Sequence, residues 1–167
     1  NMEILDKLAI ALGFATLAGI NLYLTVFVTG LAVRFGWVVL AERHEELMIL
    51  GDPIILAVSG VLLITEVMAD KIPWVDSIWD SLHTLIRPVG GGLLAISALG
   101  ATSAEFDVII ALVAGSATMV SHGLKAGTRL VVNNSPEPVS NTLVSLTEDA
   151  AVIGGLTLMA VEPKMAA

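Results

Sequence analysis

The sequence contains no cysteine and few charged residues, and each shortage excludes a class of protein. Without cysteine the chain can form neither a disulfide nor a thiolate metal site. Charged residues make up 14% of the 167 residues and hydrophobic residues 56%, whereas about a quarter of a soluble domain is charged. The mean hydropathy is +0.88. We therefore predict a single transmembrane domain, residues 1–167, with membrane lipid around it.

Basic residues are also scarce, which bears on partners. The chain has 8 basic and 16 acidic residues and a net charge of −8, so a nucleic-acid partner is disfavoured by repulsion. Membrane lipid is the predicted partner, and the small size also suits a homo-oligomer or a larger membrane complex.

The first apolar run, Leu8 to Val33, has 26 residues without a charge. That is too long for a cleaved signal peptide, so we expect it to stay in the membrane.

Apolar runs separated by polar stretches predict the fold class. Because about 20 residues cross a bilayer core, the runs indicate an all-α, polytopic transmembrane helical bundle of about five spans. The approximate spans are 8–40, 53–69, 88–104, 106–125 and 144–161, separated by polar connections at 41–52, 70–87 and 126–143.

Two segments, the first apolar run and the connection 70–87, depart from a simple alternation of apolar spans and polar loops. Gly19, Asn21 and Tyr23 interrupt the first run, which is either one tilted span or a broken helix that forms a re-entrant hairpin; its length favours one span. In the connection 70–87, polar residues recur every three or four positions, and tryptophans lie between them. This spacing predicts an amphipathic helix at the membrane interface. Its polar residues are Asp76, Asp80, His83 and Arg87.

The later spans are too short unless ionisable residues are counted into them. Their charge-free runs are 17 residues (88–104), 14 residues (108–121) and 12 residues (150–161). Each charge in lipid costs about 2.5–3.5 kcal/mol on insertion scales. We therefore expect these side chains to face one another inside the bundle. The alternative is that they lie at the helix ends and extend their charged groups into water.

The spacing of these residues suggests one shared site. Glu66 and Asp70 share a helix face, as do His122 and Lys125. Acids of the second and fifth spans would then meet bases of the fourth. Carboxylates bind protons or hard cations such as Mg, Ca or Mn, so a divalent cation is the one cofactor considered, and no catalytic residue is predicted. The candidate cation or proton ligands are Glu66, Asp70, Glu148 and Asp149, supported by Lys71, Asp76, Asp80, His122, Lys125, Arg129, Asn21 and Asn141.

Several motifs resemble a known family. The string Glu66-Val-Met-Ala-Asp-Lys-Ile-Pro-Trp-Val-Asp-Ser-Ile-Trp-Asp80 is similar to the signature of small bacterial membrane proteins known as domain of unknown function four-one-two-six. His122-Gly-Leu-Lys-Ala-Gly-Thr-Arg129 and Ser145-Leu-Thr-Glu-Asp149 also match. The resemblance covers nearly the whole chain and implies a bacterial inner-membrane location. Glu66…Asp70-Lys71 also resembles the Glu-x-Gly-Asp-Lys motif of a cation/proton exchanger family, although the glycine is missing and the acids lie four apart.

Charge placement predicts the orientation of the bundle. With five spans, Lys7, Lys71, Arg87, Lys125 and Arg129 lie on one side, against three bases on the other. The positive-inside rule then favours a cytoplasmic N-terminus. A re-entrant first helix would reverse this assignment.

Three functions fit the pattern. The first is a transporter or channel for a cation or a proton-coupled solute. The second is a non-catalytic subunit or scaffold of a membrane assembly. The third is an interfacial phospholipid-binding protein or metal-dependent lipid-phosphate enzyme, with a metal on Asp76 and Asp80. The sequence has no P-loop, dehydrogenase or protease motif, so an enzyme of the soluble type is not expected.

Overall fold

The computed structural model describes residues 2–38, 42–100, 102–134 and 138–161, and helices account for the regular structure throughout these ranges. The all-α prediction is confirmed. Within these ranges, four helices are long and apolar enough to cross a membrane, judged by length and composition, and one apolar helix is shorter. The helices are α1 (Met2–Arg34), a 3₁₀ helix (Glu42–Gly51), α2 (Pro53–Ala69), α3 (Pro73–Leu99), α4 (Ala104–Asn133) and α5 (Pro138–Val161).

Helix α3 differs from the prediction because it runs from Pro73 through Pro88 to Leu99 without a break. The segment 70–87 is therefore not a separate interfacial helix, and its polar stripe is buried inside the bundle. A proline removes one helical hydrogen bond, but membrane helices tolerate it where neighbouring helices pack around them. Gly115 of α4 provides such packing, since a Cβ there would lie 3.5 Å from the Pro88 carbonyl.

The predicted polar connection 126–143 is likewise mostly helical. Helix α4 continues to Asn133, and α5 already begins at Pro138. Both helices extend because their polar residues, including Arg129 and Asn141, are buried against one another. The predicted first span ended near Leu40, whereas α1 ends at Arg34 and residues 39–41 lie outside the described ranges.

Helix α1 is broken at Asn21, as the alternative reading of the first run predicts. The backbone of Asn21 has φ −148° and ψ 98°, which is extended. Its side-chain oxygen accepts a hydrogen bond from the Leu24 amide at 3.0 Å, so Asn21 caps the helical segment that follows. The Asn21 carbonyl in turn accepts a hydrogen bond from the Thr25 hydroxyl at 2.7 Å. Helix α1 therefore consists of a first half, 2–20, and a second half, 22–34.

Both ends of α1 lie beside the same end of α3. In the first half, Ala11 and Ala15 share a buried cluster with Ala95 and Leu99, near the end of α3. The second half ends against the 3₁₀ helix, where the Arg34 guanidinium donates to the Gly51 carbonyl at 3.1 Å. This 3₁₀ helix also packs near the end of α3: its Leu47 and Leu50 share a buried cluster with Leu94 and Ala98.

These contacts give α1 the form of a re-entrant hairpin with Asn21 at its tip. The second half has about 13 residues and a length of about 20 Å at 1.5 Å per residue, which is less than the roughly 30 Å of a bilayer core. The half of the bundle that holds both ends of α1 is filled with alanine and leucine side chains. We refer to this half as the apolar half.

Small residues allow the helices to meet near the tip of the hairpin. A Cβ on Gly19 would lie 2.5 Å from the Thr118 carbonyl oxygen of α4, and one on Gly91 would lie 2.0 Å from the Thr118 hydroxyl. Glycine is required at both positions for this close approach. The same packing places α1, α3 and α4 around the polar residues described next.

Candidate functional site

Acidic and basic side chains from four helices meet in the other half of the bundle. Glu66 comes from α2 and Asp70 directly follows that helix, while further acids come from α3 and α5 and the bases from α3 and α4. Most of these side chains are fully buried. The ion-paired members, called the charged cluster below, are Glu66, Asp70, Asp76, Asp80, Arg87, Lys125, Arg129 and Glu148.

One part of the charged cluster is centred on Glu66. Its Oε1 atom lies 2.6 Å from Nη2 of Arg87 and 3.1 Å from Nζ of Lys125. Arg87 and Glu66 are 0% exposed, so this pair has no contact with solvent. Arg87 also lies 3.3 Å from Oδ1 of Asp80. Removal of one partner from a buried pair of this kind leaves an uncompensated charge, which is strongly destabilising.

A second part is centred on Arg129. Its Nη2 atom lies 3.0 Å from Asp70 and 3.1 Å from Glu148, and its Nε atom lies 3.8 Å from Asp76. Arg129 also donates a hydrogen bond to the side-chain oxygen of Asn141. One guanidinium therefore connects α4 to the end of α2 and to α3 and α5.

The break in α1 meets this cluster. The Asn21 amide donates to Oδ1 of Asp149 at 3.1 Å, and Arg87 donates to the carbonyl oxygen of Gly19 at 3.3 Å. A helix break leaves nearby carbonyls without their usual amide donors, and Arg87 satisfies one of them. Asp149 is thereby placed at the tip of the hairpin and Arg87 beside it.

Two buried histidines border the cluster. Nδ1 of His122 lies 2.8 Å from Nη1 of Arg87, and its Nε2 lies 3.2 Å from the Thr84 hydroxyl. Nε2 of His83 lies 2.7 Å from the Tyr23 hydroxyl. The polar region therefore extends through His83 to Tyr23 of α1 and through His122 to Thr84 of α3.

The structure brings together every candidate site residue except one. Lys71 is exposed, in the turn between α2 and α3. Sequence reasoning left Arg87 and His83 out of the candidate set as ordinary interfacial residues, although it included Asp76 and Asp80 of the same stripe. It also missed the Ser145 hydroxyl, which donates to Asp70 at 3.2 Å. The spacing of 76, 80, 83 and 87 was the signal for the first two. Ser145 opened the matched motif Ser145-Leu-Thr-Glu-Asp149, one helical turn after Asn141, but was not assigned a role.

A comparison with protein families identifies the chain's relatives. The family model described as Domain of unknown function (DUF4126) matches residues 8–167. The chain belongs to this family. No curated protein and no solved structure matches it. The match, together with the apolar helices, makes this DUF4126 member a helical membrane protein.

At the site of this DUF4126 chain, acidic side chains outnumber basic ones. Six buried or half-buried acids, the five of the charged cluster and Asp149, face three bases among the side chains that the structure describes. One oxygen of each of Glu66, Asp70 and Asp76 has no hydrogen-bond partner within the described residues. Excess carboxylates in a low-dielectric interior favour binding of protons or of another cation.

Metal ligation has less geometric support in this family member. Within the described ranges, no group of three His, Asp or Glu side chains is arranged to hold a metal ion. Three of the four candidate ligands, Glu66, Asp70 and Glu148, already lie within 3.7 Å of a basic nitrogen. A divalent cation thus remains a prediction from the sequence alone.

Two grooves reach the charged cluster from opposite sides of α4. One, of about 220 Å³, lies between α3 and α4 and is lined by Asp80 and Arg129 together with Ser77 and Ser81. The other, of about 500 Å³, lies between α1, α4 and α5 and is lined by Lys125 and Glu148. The cluster is therefore buried but lies directly behind two surface openings.

Proposed function

We propose that the protein is a proton-coupled membrane transporter whose buried carboxylates carry the proton. The observation that carries this proposal is the excess of acids over bases in the described part of the cluster, at the depth where α1 breaks. Ionisable residues are expensive inside a membrane and usually mark substrate or proton pathways.

The broken helix supports transport over a purely structural role. Discontinuous membrane helices often form the binding sites of transporters, because the break exposes backbone groups and allows movement. Here the break at Asn21 contacts Asp149 directly, and Arg87 binds the adjacent backbone at Gly19. A change in the charge of the cluster would therefore act directly on the tip of the hairpin.

Glu148 is the acid best placed to exchange protons. Its side chain is 12% exposed, whereas the Glu66 side chain is 0% exposed. It lies 3.7 Å from Lys125 and 3.1 Å from Arg129. A proton that binds or leaves Glu148 alters its pairing with both bases, which belong to the same helix, α4.

The proposed location is the inner membrane of a bacterium, with the N-terminus in the cytoplasm. A hairpin was expected to reverse the orientation, but that count of charges included Arg87, Lys125 and Arg129, which are buried in ion pairs. They are not loop charges, so they drop out of the positive-inside comparison and the reversal does not follow. The hairpin then places Lys7 and Arg34 at one end of the bundle, while Lys71 lies beyond the other end. The end with more basic residues is expected to face the cytoplasm.

The test is proton flux into liposomes that contain the purified protein and an internal pH-sensitive dye. Flux is measured under an imposed membrane potential, and then with Na⁺, K⁺, small amines or small carboxylates added outside one at a time. We expect wild-type protein to move protons under at least one condition, and Glu148→Gln to match protein-free liposomes. The control is Glu105→Gln, which changes an exposed acid at the start of α4.

Two results would overturn the proposal. One is wild-type flux equal to that of protein-free liposomes under every condition. The other is Glu148→Gln flux equal to that of wild type, which would remove the cluster from the proton route. A matching loss in Glu105→Gln would show that the effect is not specific to the cluster.

A further inference from the structure

The larger groove has the shape of a binding site for a small amphipathic molecule. It holds about 500 Å³ between the first half of α1, α4 and α5. Its lining comes from the middle of α5 and from helix interiors in α1 and α4, so it opens sideways toward lipid. Apolar walls are provided by Ile20, Leu124, Val144 and Ala151.

Although one oxygen of Glu148 is paired with Arg129 at 3.1 Å, Glu148 provides the more exposed charge of this groove. Glu148 and Lys125 both line it, but the Lys125 side chain is only 2% exposed and its ammonium group lies 3.1 Å from Glu66. The Glu148 side chain is 12% exposed. A ligand in the groove would therefore meet a carboxylate at its charged end.

The hydroxyl groups of the groove act as acceptors. Each of its four hydroxyls already donates its hydrogen to a carbonyl of its own helix, at 2.8 to 3.1 Å. Since a hydroxyl has one hydrogen to donate, the free lone pairs of these oxygens can only accept. The four residues are Thr16, Ser121, Thr128 and Thr147.

We propose that this groove binds a protonated primary amine that carries an apolar body. The ammonium would donate to Glu148 and to the hydroxyl oxygens, while the body would lie on the apolar walls. This proposal rests on the proposed function and deepens it: Glu148 would hold either a proton or the amine, so the two would exchange across the membrane.

The test is isothermal titration of the purified protein in detergent with three probes of nearly equal size. The probes are 2-phenylethylamine, 2-phenylethanol and phenylacetate, which are cationic, neutral and anionic. We expect saturable binding of the amine at one per chain, at least about tenfold weaker binding of the alcohol, and no binding of phenylacetate. Equal affinity for amine and alcohol would overturn the proposal, as would absence of amine binding.

Paired variants locate the binding site. Glu148→Gln should weaken amine binding at least about tenfold, and Glu105→Gln should leave it unchanged. Ala151→Phe should block the groove without removing a charge, and Leu146→Phe, at an exposed position of α5, is its control. If Glu148→Gln fails to fold, the Ala151→Phe pair decides, and unchanged binding there overturns the proposal.

Binding and flux can fail separately. Proton flux that depends on Glu148 without amine binding would remove only this inference. Amine binding in this groove without any proton flux would instead refute the proposed transport and leave a cation-binding membrane protein.

Discussion

Nη1 of Arg87 lies 2.8 Å from Nδ1 of His122. A guanidinium only donates hydrogen bonds, so Nδ1 must accept and the proton of the neutral ring is on Nε2, which faces the Thr84 hydroxyl. In His83 the roles are reversed. Its Nδ1 lies 2.8 Å from the Trp79 carbonyl oxygen, so Nδ1 carries the proton and Nε2 accepts from Tyr23.

We predict that these two histidines have opposite tautomers at neutral pH. Nitrogen-15 NMR of histidine-labelled protein should show the Nε2–H form for His122 and the Nδ1–H form for His83. His122→Gln and His83→Gln would assign the signals. A doubly protonated His122 at pH 7 would contradict the arrangement, because a cationic ring has no lone pair to accept from Arg87.

Part of the site was predictable because charges inside a membrane need partners. The short apolar runs required Glu66 and Glu148 to lie within the spans, and the structure places both in the cluster. Arg87 and His83 were missed for a physical reason. A polar stripe on a helix has the same spacing whether it faces water or other polar helices, and only the packing of α3 against α1 and α4 distinguishes the two.

The hairpin in α1 could likewise be predicted only in part from the sequence. Asn21 marked the break, since asparagine is a favoured N-cap residue. The direction of the second half depends on contacts between distant parts of the chain, such as Arg34 with Gly51 and Gly60 with Phe27. Run length favoured one span because the run is long enough for one tilted crossing, but two short halves of a hairpin need a similar number of apolar residues, so length could not exclude the hairpin.

We predict that Gly19→Ala destabilises the protein. The added Cβ would lie 1.8 Å from the Ser121 hydroxyl and 2.5 Å from the Thr118 carbonyl, and overpacking of this kind costs about 1–3 kcal/mol. The matched control is Gly127→Ala in α4, where a Cβ meets nothing within 4 Å. That change should stabilise its helix by about 0.5–1 kcal/mol. Thermal unfolding in detergent measures both, and equal melting temperatures would contradict the close contact of α1 with α4.

We predict that Arg87 and Glu66 are energetically coupled. Arg87→Gln leaves Glu66 with less compensation and should cost about 3–5 kcal/mol of unfolding free energy. Glu66→Gln added to Arg87→Gln should recover part of that loss, giving a coupling energy of about 0.5–3 kcal/mol. Unfolding of the two single variants and the double variant completes the cycle. Strictly additive losses would mean that the 2.6 Å pair contributes little, with Lys125 alone balancing Glu66.

We predict that α1 forms a hairpin in the membrane, and the absence of cysteine makes this easy to test. Leu5 lies near the start of α1, Phe35 just after its end and Ile72 in the turn between α2 and α3. All three are exposed (60%, 63% and 46%) and lie at the ends of the bundle, so single cysteines there should react with a membrane-impermeant maleimide. If α1 returns at Asn21, Leu5→Cys and Phe35→Cys will label from the same side of the membrane, and Ile72→Cys from the other. A straight α1 predicts the opposite result for the first pair, because its two ends would lie on different sides. Labelling of Leu5→Cys and Phe35→Cys from opposite sides would mean that only one end of α1 lies in the apolar half. Asn21 would then be an ordinary kink within a helix that crosses the membrane.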